Sequence, residues 1–375
     1  MTGLAVVAGA GPAGLSAAIQ LASWCEEVLL VDASPDPAST QIGEHLPPAG
    51  IVELTVAGYE SLVNKDGHKR SSGVQAAWGS EEPIDKDYFL TIPGYGVNLD
   101  RLQLHDQLTG RAASAGVSIA LNTRISAVDS NEDCFTLELT DRNSSRQLNP
   151  QILVDATGRR AAIARKLGAA RMRTDHLIGL SGTARIRTPL DDGGRLYIET
   201  MEDGWWYAVS LDEFSMTCTF MTDSIIVHES PLEHDALWCA RLEASNLISR
   251  LVETDQACGT VSVHDASTQL VSAPVIAGFA TTGDAAMALD PLFSWGVTKG
   301  ICDGHGTATS LQRDAESPGR HPCYSRYQAA RNQAFNYFLK KQHDFYLSEI
   351  RWPHAPFWQS RQQHCLTQNP VGDLL

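Results

Sequence analysis

Short apolar runs separated by glycine and proline form the pattern at the start of the chain. Residues 4–8 and 28–31 are apolar runs of strand length, and the small-residue stretch 15–23 between them is typical of a helix. Residues 99–115 carry leucines at helical spacing behind a polar cap, and Gly116 ends that pattern before a strand at 117–121. The order strand, turn, helix, strand predicts an α/β fold.

The second half of the chain alternates apolar and polar positions over residues 183–187, 196–200, 206–211 and 215–222. This pattern, broken by the turns at 191–194 and 202–204, predicts an antiparallel sheet inserted after the first α/β part. Further helices are predicted at 50–62, at 232–253, from 298 onward and at 324–350, and a strand at 276–281. Residues 63–97 show no clear period and are interpreted as irregular.

A G-x-G-x-x-G turn at residues 9–14 joins the first strand to the first helix. One glycine makes the turn, one lets the backbone approach a pyrophosphate, and one lets the helix pack close to the strand. Asp32 ends the second strand about 20 residues further on, where a carboxylate accepts hydrogen bonds from a ribose. Strand, helix and acid all stand where an adenine dinucleotide needs them, so a plain glycine turn is the weaker interpretation.

Composition narrows the classes of partner. The chain has 375 residues, a formal net charge of −15 and a pI near 5.2, which argue against nucleic acid or an anionic membrane as the main partner. No apolar run reaches the roughly 18 residues of a membrane helix. The N-terminal run lacks a basic leader, which indicates a strand and not a signal peptide. Eight cysteines without C-x-x-C spacing indicate reduced thiols in a cytoplasmic protein and no metal site.

Three separated signals, at residues 9–14, 155–158 and 283–291, together resemble the FAD-dependent monooxygenases of the para-hydroxybenzoate hydroxylase fold, a group that includes flavin-dependent halogenases and geranylgeranyl reductases. The resemblance spans roughly residues 1–320 and implies FAD as the cofactor. It implies that the first motif holds the ADP half of FAD, that Asp284 meets the ribityl chain, and that the helix start near Gly296 faces the flavin ring. The implied cofactor contacts are Gly9, Gly11, Ala13, Gly14, Asp32, Arg101, Asp155, Gly158, Asp284, Pro291, Gly296 and Val297.

The same resemblance implies a domain organisation. Residues 1–75, 98–180 and 268–320 are expected to form a discontinuous Rossmann-like FAD-binding domain. Residues 76–97 and 181–267 are expected to form a substrate domain with the antiparallel sheet, and residues 321–375 a C-terminal helical segment. Only one dinucleotide-type glycine motif is present, so no second Rossmann domain for NAD(P)H is expected.

A narrower resemblance comes from residues 42–48, 203–207, 221–223 and 351–358, of which the Arg-Trp-Pro stretch at 351–353 is the most telling. These stretches are similar to the LodB/GoxB-type flavoproteins of tryptophylquinone cofactor biogenesis. That family is understood to oxygenate a tryptophan in a partner polypeptide. The resemblance therefore implies an FAD-dependent monooxygenase whose partner is the precursor protein of a quinone-cofactor amine or amino-acid oxidase, with O2 as co-substrate. NAD(P)H, a separate reductase or the partly oxidised substrate would supply the electrons.

Glu44 and His45 are the predicted acid/base residues, because a histidine beside a carboxylate can cycle protons; the alternative is that both are loop residues without chemical duty. The aromatic substrate is expected to contact Trp205, Trp206, Phe293 and Trp295, although a tryptophan pair on a sheet is often plain core. Arg101 is either a flavin-side contact or a solvated arginine, and Lys299 is interpreted as solvated on its helix.

Three other functions stay open. The first is a hydroxylase of a small free aromatic compound, and the second is a non-catalytic, flavin-containing maturation chaperone. The third, a flavin-dependent halogenase, is disfavoured because the W-x-W-x-I-P pattern is missing and Phe293 stands where the tryptophan halogenases carry an acid.

Overall fold

A computed structural model describes residues 2–37, 44–64, 67–130, 134–210, 212–254, 258–316 and 322–363. In chain order, the strands are β1 (Thr2–Ala8), β2 (Cys25–Val31), β3 (His45–Leu46), β4 (Lys69–Ser71), β5 (Gly73–Ala77), β6 (Ile84–Asp87), β7 (Gly96–Asn98), β8 (Ser118–Ala120), β9 (Arg124–Ser130), β10 (Phe135–Thr140), β11 (Ser145–Leu148), β12 (Ile152–Asp155), β13 (Ala170–Arg173), β14 (Leu177–Arg185), β15 (Leu196–Met201), β16 (Gly204–Ser210), β17 (Ser215–Asp223), β18 (Cys258–Asp265), β19 (Gln269–Ser272), β20 (Phe279–Thr281) and β21 (Met287–Ala288). The helices are α1 (Pro12–Leu21), α2 (Pro48–Val56), α3 (Arg101–Ser114), α4 (Ala162–Lys166), α5 (Ser224–Glu229), α6 (His234–Glu243), α7 (Ile248–Leu251), α8 (Gly296–Glu316), α9 (Pro322–Leu347) and α10 (Pro356–Gln362).

A parallel sheet in the order β20-β12-β1-β2-β8 carries the start of the chain. Its central strand β1 is apolar on both faces: Ala5 and Val7 pack into a core shared with Leu15 of α1, and Val6 and Ala8 pack into a second core on the other side. Parallel strands covered on both faces need this continuous apolar sequence. The carboxyl ends of β1, β12 and β20 lie side by side, which brings the turns that follow them to one edge.

A larger sheet has the strand order β18-β14-β17-β16-β15-β5-β6, with only the β15–β5 pair parallel among the described strands. Successive residues of β16 face opposite sides of it. Trp206 packs against Trp238 of α6, whereas Trp205 belongs to a second core with Tyr346 and Trp358 from the C-terminal helices. The predicted antiparallel sheet is present, and it extends further on both edges than the sequence indicated.

Smaller antiparallel sheets complete the described strands. They have the orders β11-β10-β9, β13-β19-β21 and β3-β7-β4. The last of these places His45 of β3 directly opposite Asn98 of β7. The segment 63–97, interpreted as irregular, in fact holds β4 to β7, whose short and largely polar strands give no period to detect.

Two predicted helices are shorter than expected. The helix at 50–62 ends at Val56, and Gly58 with φ +78° turns the chain into a separate 3-10 turn at Glu60–Leu62. The helix at 232–253 is two helices, α6 and α7. The buried carboxylate of Glu199 accepts hydrogen bonds from the backbone N–H groups of Leu247 at 2.9 Å and Ile248 at 3.0 Å, and so fixes a second helix start.

The C-terminal helices close the second core. The buried Arg361 guanidinium pairs with Asp223 at the end of β17, with N–O distances of 2.7 and 2.9 Å. Trp358 donates its indole N–H to the carbonyl of Met201 at 2.9 Å. Within the described part of the chain, no helix is both long and apolar enough to pass through a bilayer.

Candidate functional site

The glycine turn between β1 and α1 leaves an open helix start. Gly9 has φ +111°, and a Cβ there would lie 2.2 Å from the Ala156 carbonyl oxygen, while a Cβ on Gly14 would lie 1.8 Å from the Gly9 oxygen. Gly11 is the N-cap of α1, without a side-chain cap, and a Cβ on it would meet nothing within 4 Å. The first turn of α1 therefore faces open space with uncapped N–H groups, which fits a bound anion.

Asp32 stands beside this helix start at the end of β2. One carboxylate oxygen accepts the Ala10 N–H at 2.7 Å and the other accepts the Ser34 N–H at 2.7 Å. A carboxylate has about four acceptor positions, so two remain for hydroxyl groups. The orientation fits the predicted ribose contact.

Asp155 ends β12, with its carboxylate directed into the protein. Its buried carboxylate accepts hydrogen bonds from the N–H groups of Ile163 at 2.9 Å and Ala164 at 2.7 Å, and from the Thr157 N–H and hydroxyl. It thus caps α4 and shapes the turn that carries Gly158, whose φ is +64°. Burial raises the pKa of Asp155, opposed by these four hydrogen bonds. The side chain is turned into the protein, so we assign it to shaping this turn.

The turn after β20 brings charged groups to the same edge. Gly283 has φ +58°, and a Cβ there would lie 2.5 Å from the Ala13 side chain, so this turn packs directly on α1. Asp284 follows, 34% exposed, with its carboxylate 3.4 Å from Arg159 Nε and 3.9 Å from Lys299 Nζ. Lys299 is buried and pairs with Asp303 at 3.0 Å, so the interpretation of Lys299 as solvated is wrong.

A second open helix start lies at α8. Asp290 is buried and accepts the Leu292 N–H at 2.9 Å, which fixes the turn that begins at Pro291. Ser294 then adopts φ +52°, and α8 begins at Gly296, where a Cβ would meet nothing within 4 Å. The open glycine starts of α1 and α8 lie at one edge of the parallel sheet. They fit a long ligand with a diphosphate at the α1 end and an electron-accepting ring at the α8 end. The N–H groups at Gly296 and Val297 are the ones that would face the ring.

Glu44 is held by a residue that the sequence did not single out. The Tyr207 hydroxyl accepts the Glu44 N–H at 2.8 Å and donates a short hydrogen bond to the Glu44 carboxylate. Burial, followed by the charge of Glu44, raises the pKa of Tyr207 far above its ordinary value, so the hydroxyl stays protonated. Arg101, at the first turn of α3, is half-buried. Burial lowers its pKa and the nearby negative charge of Glu44 partly opposes that change, so the side chain interacts with Glu44 and is not fully solvated.

His45 does not pair with Glu44. Its Nδ1 lies 2.8 Å from Asn98 Oδ1 and its Nε2 lies 3.0 Å from the Tyr88 hydroxyl. The Asn98 amide nitrogen donates to the carbonyls of Gly194 and Ser210, so its oxygen faces the histidine and Nδ1 must carry the proton. Burial lowers the pKa of His45 to about 4. The ring is therefore neutral near pH 7 and accepts a hydrogen bond from Tyr88.

The four predicted aromatic residues have different surroundings. Trp205 donates its indole N–H to the Tyr346 hydroxyl at 3.1 Å, and that hydroxyl donates to Asp290 at 2.9 Å, which joins the large sheet to the turn before α8. Phe293 packs edge-on against Phe338 of α9 with ring centroids 5.0 Å apart. Trp295 is half-buried just before α8, whereas Trp206 is fully buried on the opposite face of β16.

Sequence and structure comparisons agree with this geometry. A family model described as "FAD binding domain" matches residues 3–335. The LodB protein of Marinomonas mediterranea, described by name as an FAD-dependent oxidoreductase, is 23% identical over 97% of this chain and 98% of its own length.

Solved structures show the same fold. The chondrochloren halogenase CndH has a TM-score of 0.86 at 19% identity, covering 99% of this chain and 88% of that one. QhpG, described as a peptidyl tryptophan dihydroxylase essential for tryptophylquinone cofactor biogenesis, has a TM-score of 0.74 at 23% identity, covering 98% of this chain and 80% of that one. Together these matches confirm the predicted fold class.

Proposed function

The chain belongs to the FAD binding domain family, and from that premise we propose that this FAD-dependent oxidoreductase oxygenates a tryptophan side chain of a precursor polypeptide. The likeness to LodB along nearly the whole of both chains, together with the likeness to a peptidyl tryptophan dihydroxylase, supports this substrate class. The structural observation that carries the proposal is the buried pair of Glu44 and Tyr207, with Arg101 near it. Tyr207 lies on β16, and Trp205 of the same strand is linked through Tyr346 to the turn before α8.

The open sites support a proposal for the residues that would hold FAD. The glycine turn at Gly9 and Gly11, with Ala13 and Gly14 in the first turn of α1, would receive the pyrophosphate. Asp32 would bind the adenine-side ribose and Asp284 the ribityl chain, while the α8 start would face the flavin ring. When bound and reduced, FAD supplies the activation of O2 and the transfer of one oxygen atom to an electron-rich ring.

Side chains of the protein are proposed to accept the proton that the indole ring loses. Oxygenation of an indole carbon replaces a C–H bond by a C–O bond, so a proton must leave the ring as aromaticity returns. The other oxygen atom of O2 leaves as water, with two electrons from NAD(P)H, a reductase or the partly oxidised substrate. We assign the acceptor role to the Glu44 carboxylate, which the Tyr207 hydroxyl orients and the Arg101 charge compensates.

His45 is then a positioning residue in this proposal. Both of its ring nitrogens are engaged, one with Asn98 and one with Tyr88, and its low pKa keeps it neutral. It therefore fixes β3 and the backbone of Glu44 and does not carry the proton. A cytoplasmic location is part of the proposal, supported by the free thiols of the cysteine side chains that the structure describes.

Intact-mass analysis tests the function. A recombinant precursor polypeptide of a quinone-cofactor oxidase, with its tryptophan unmodified, is incubated with the FAD-loaded protein, a reductant and 18O2. The expected result is a mass gain of whole labelled oxygen atoms at the tryptophan. Gly9→Ala should abolish conversion because its Cβ meets the Ala156 carbonyl, whereas Gly110→Ala, with nothing within 4 Å, should not.

The alternatives give different outcomes in the same assay. Conversion that survives in Gly9→Ala without bound FAD would support a maturation chaperone and refute the redox role. Turnover of free phenols or indoles at the rate of the polypeptide, with no conversion of the polypeptide, would establish a small-molecule hydroxylase instead. Incorporation of halide in place of labelled oxygen would restore the halogenase interpretation.

A further inference from the structure

We propose that the edge strand β6 and the loop that follows it, residues 81–92, form a docking surface for an extended, basic segment of the polypeptide substrate. The inference rests on the proposed function, because it names where that substrate binds. The surface is here called the docking segment.

The first observation is a free sheet edge. β6 ends the strand order of the large sheet, and among the described residues it pairs only with β5. Residues 84–87 are all exposed. The outward N–H and C=O groups of an edge strand can pair with an extended peptide, which adds a strand to the sheet.

The second observation is a run of exposed apolar side chains directly after that edge. Phe89 is 71% exposed, Leu90 84% and Ile92 81%, and Ile84 within β6 is 68% exposed. Single exposed apolar residues are ordinary, but a cluster of four within nine residues is typical of an interaction surface. Side chains of a peptide strand added at this edge would cover the four apolar side chains and exclude water from them.

The negative charge of the docking segment favours a basic peptide as the bound partner. Residues 81–87 contain four carboxylates, of Glu81, Glu82, Asp85 and Asp87, against one lysine. Arg195 pairs with the two aspartates, with a distance of 3.2 Å to Asp85, and leaves the glutamates exposed. A second copy of this chain would place like charges opposite each other, which disfavours self-pairing. A segment rich in lysine or arginine would be attracted to this edge and to the net charge of −15.

The docking segment lies close to the proposed acid/base group. Tyr88, buried between β6 and Phe89, has its hydroxyl 3.0 Å from His45 Nε2, and its backbone N–H donates to the Ser72 carbonyl at 2.8 Å. β6 is three strand spacings, about 14 Å, from β16 with its Tyr207. An extended chain covers about 3.3 Å per residue, so four or five residues span the distance from the docked segment to the strand that carries Tyr207.

Site-specific crosslinking tests the surface. Leu90 is replaced by photoreactive p-benzoylphenylalanine, with the same replacement at Val275, which is 74% exposed, as the matched control. The probe is the precursor polypeptide used in the mass assay. The expected result is a covalent adduct at position 90, mapped to a basic stretch near the tryptophan, and none at position 275.

The outcomes separate the two proposals. An adduct at position 90 without conversion by the wild-type protein supports the docking surface and overturns the proposed function. Conversion without an adduct at position 90 overturns the docking surface alone, and the absence of both overturns both. An adduct of equal yield at position 275 shows non-specific contact and also overturns the docking surface.

A charge-reversal pair provides the second measurement. Glu81→Lys with Glu82→Lys should raise the polypeptide concentration for half-maximal crosslinking about tenfold at low salt, and less at high salt. The matched control reverses Glu26 and Glu27, two adjacent exposed acids of β2 on the other sheet, and should leave it unchanged. Retained FAD absorbance shows that each variant is folded. Equal effects of the two pairs would refute the charge selection.

Discussion

His45 makes the stability of this protein depend on pH in a way that a single variant isolates. In the folded chain burial lowers the pKa of the imidazole to about 4, against an ordinary value of 6.5 in the unfolded chain. Between these pH values the imidazole is protonated in the unfolded state and neutral in the folded state. The contribution of His45 to the free energy of unfolding is therefore fully present above pH 6.5 and is lost as the pH decreases toward 4.

The size of the effect follows from the two pKa values. Each unit of pKa difference corresponds to about 1.4 kcal/mol, so the folded state loses about 2 kcal/mol of unfolding free energy from this group between pH 7 and pH 5. The other histidines with lowered pKa, such as His68 and His264, add their own contributions to the total. Only the difference between the wild type and a variant at position 45 reports on this one ring.

His45→Gln is the informative variant, because glutamine keeps a polar side chain near Asn98 and does not titrate. Urea unfolding of the FAD-loaded protein at pH 7 and pH 5 gives the two free energies for each protein. We expect the wild type to lose about 2 kcal/mol more than His45→Gln over this range. The exposed His354→Gln should retain the full wild-type difference. If His45→Gln shows the same pH dependence as the wild type, the buried neutral imidazole is refuted.

Three further predictions follow from contacts described above. Tyr207→Phe removes the hydroxyl that serves both the carboxylate and the N–H of Glu44, so urea unfolding should show a loss of about 2–4 kcal/mol; a loss below about 0.5 kcal/mol contradicts the pairing. Arg361→Met leaves the Asp223 carboxylate buried without its partner and should cost about 3–5 kcal/mol, whereas a thermal melt unchanged from wild type would count against this. Gly11→Val places a side chain in the open space at the start of α1, so fluorescence titration should show FAD affinity reduced at least about tenfold while apoprotein stability changes little; unchanged affinity argues against the phosphate position.

The cofactor side of the fold was predictable because its signals are local in sequence. The glycine turn and Asp32 stand within about 25 residues of each other, and the backbone geometry that glycine permits at position 9 depends on that position alone. The Asp155 turn was found at the right place, but its partners at 163 and 164 belong to a short helix that the sequence did not reveal. The motif therefore marked the turn, whereas the inward direction of the Asp155 side chain depends on that short helix.

The substrate side was less predictable because its contacts join distant parts of the chain. Tyr207 meets Glu44 across 163 residues, and the break between α6 and α7 depends on Glu199, which stands 48 residues before Leu247. Trp205 and Trp206 are adjacent in sequence, but the register of β16 sends them to separate cores. The alternation of side chains along a strand predicts that the two tryptophans lie on opposite sides of the sheet. It does not predict which core each of them enters.

The order of strands in the parallel sheet sets when the protein can acquire its prosthetic group during synthesis. β1 leaves the ribosome first, but its neighbour β12 begins at residue 152 and the third strand of the edge, β20, only at residue 279. The α8 start comes later still, and Tyr324 and Arg331 of α9 hold the end of β20 by bonding Thr281. A nascent chain therefore lacks one side of the crevice until β20 and the start of α8 have been synthesised, and we expect flavin loading only after that point.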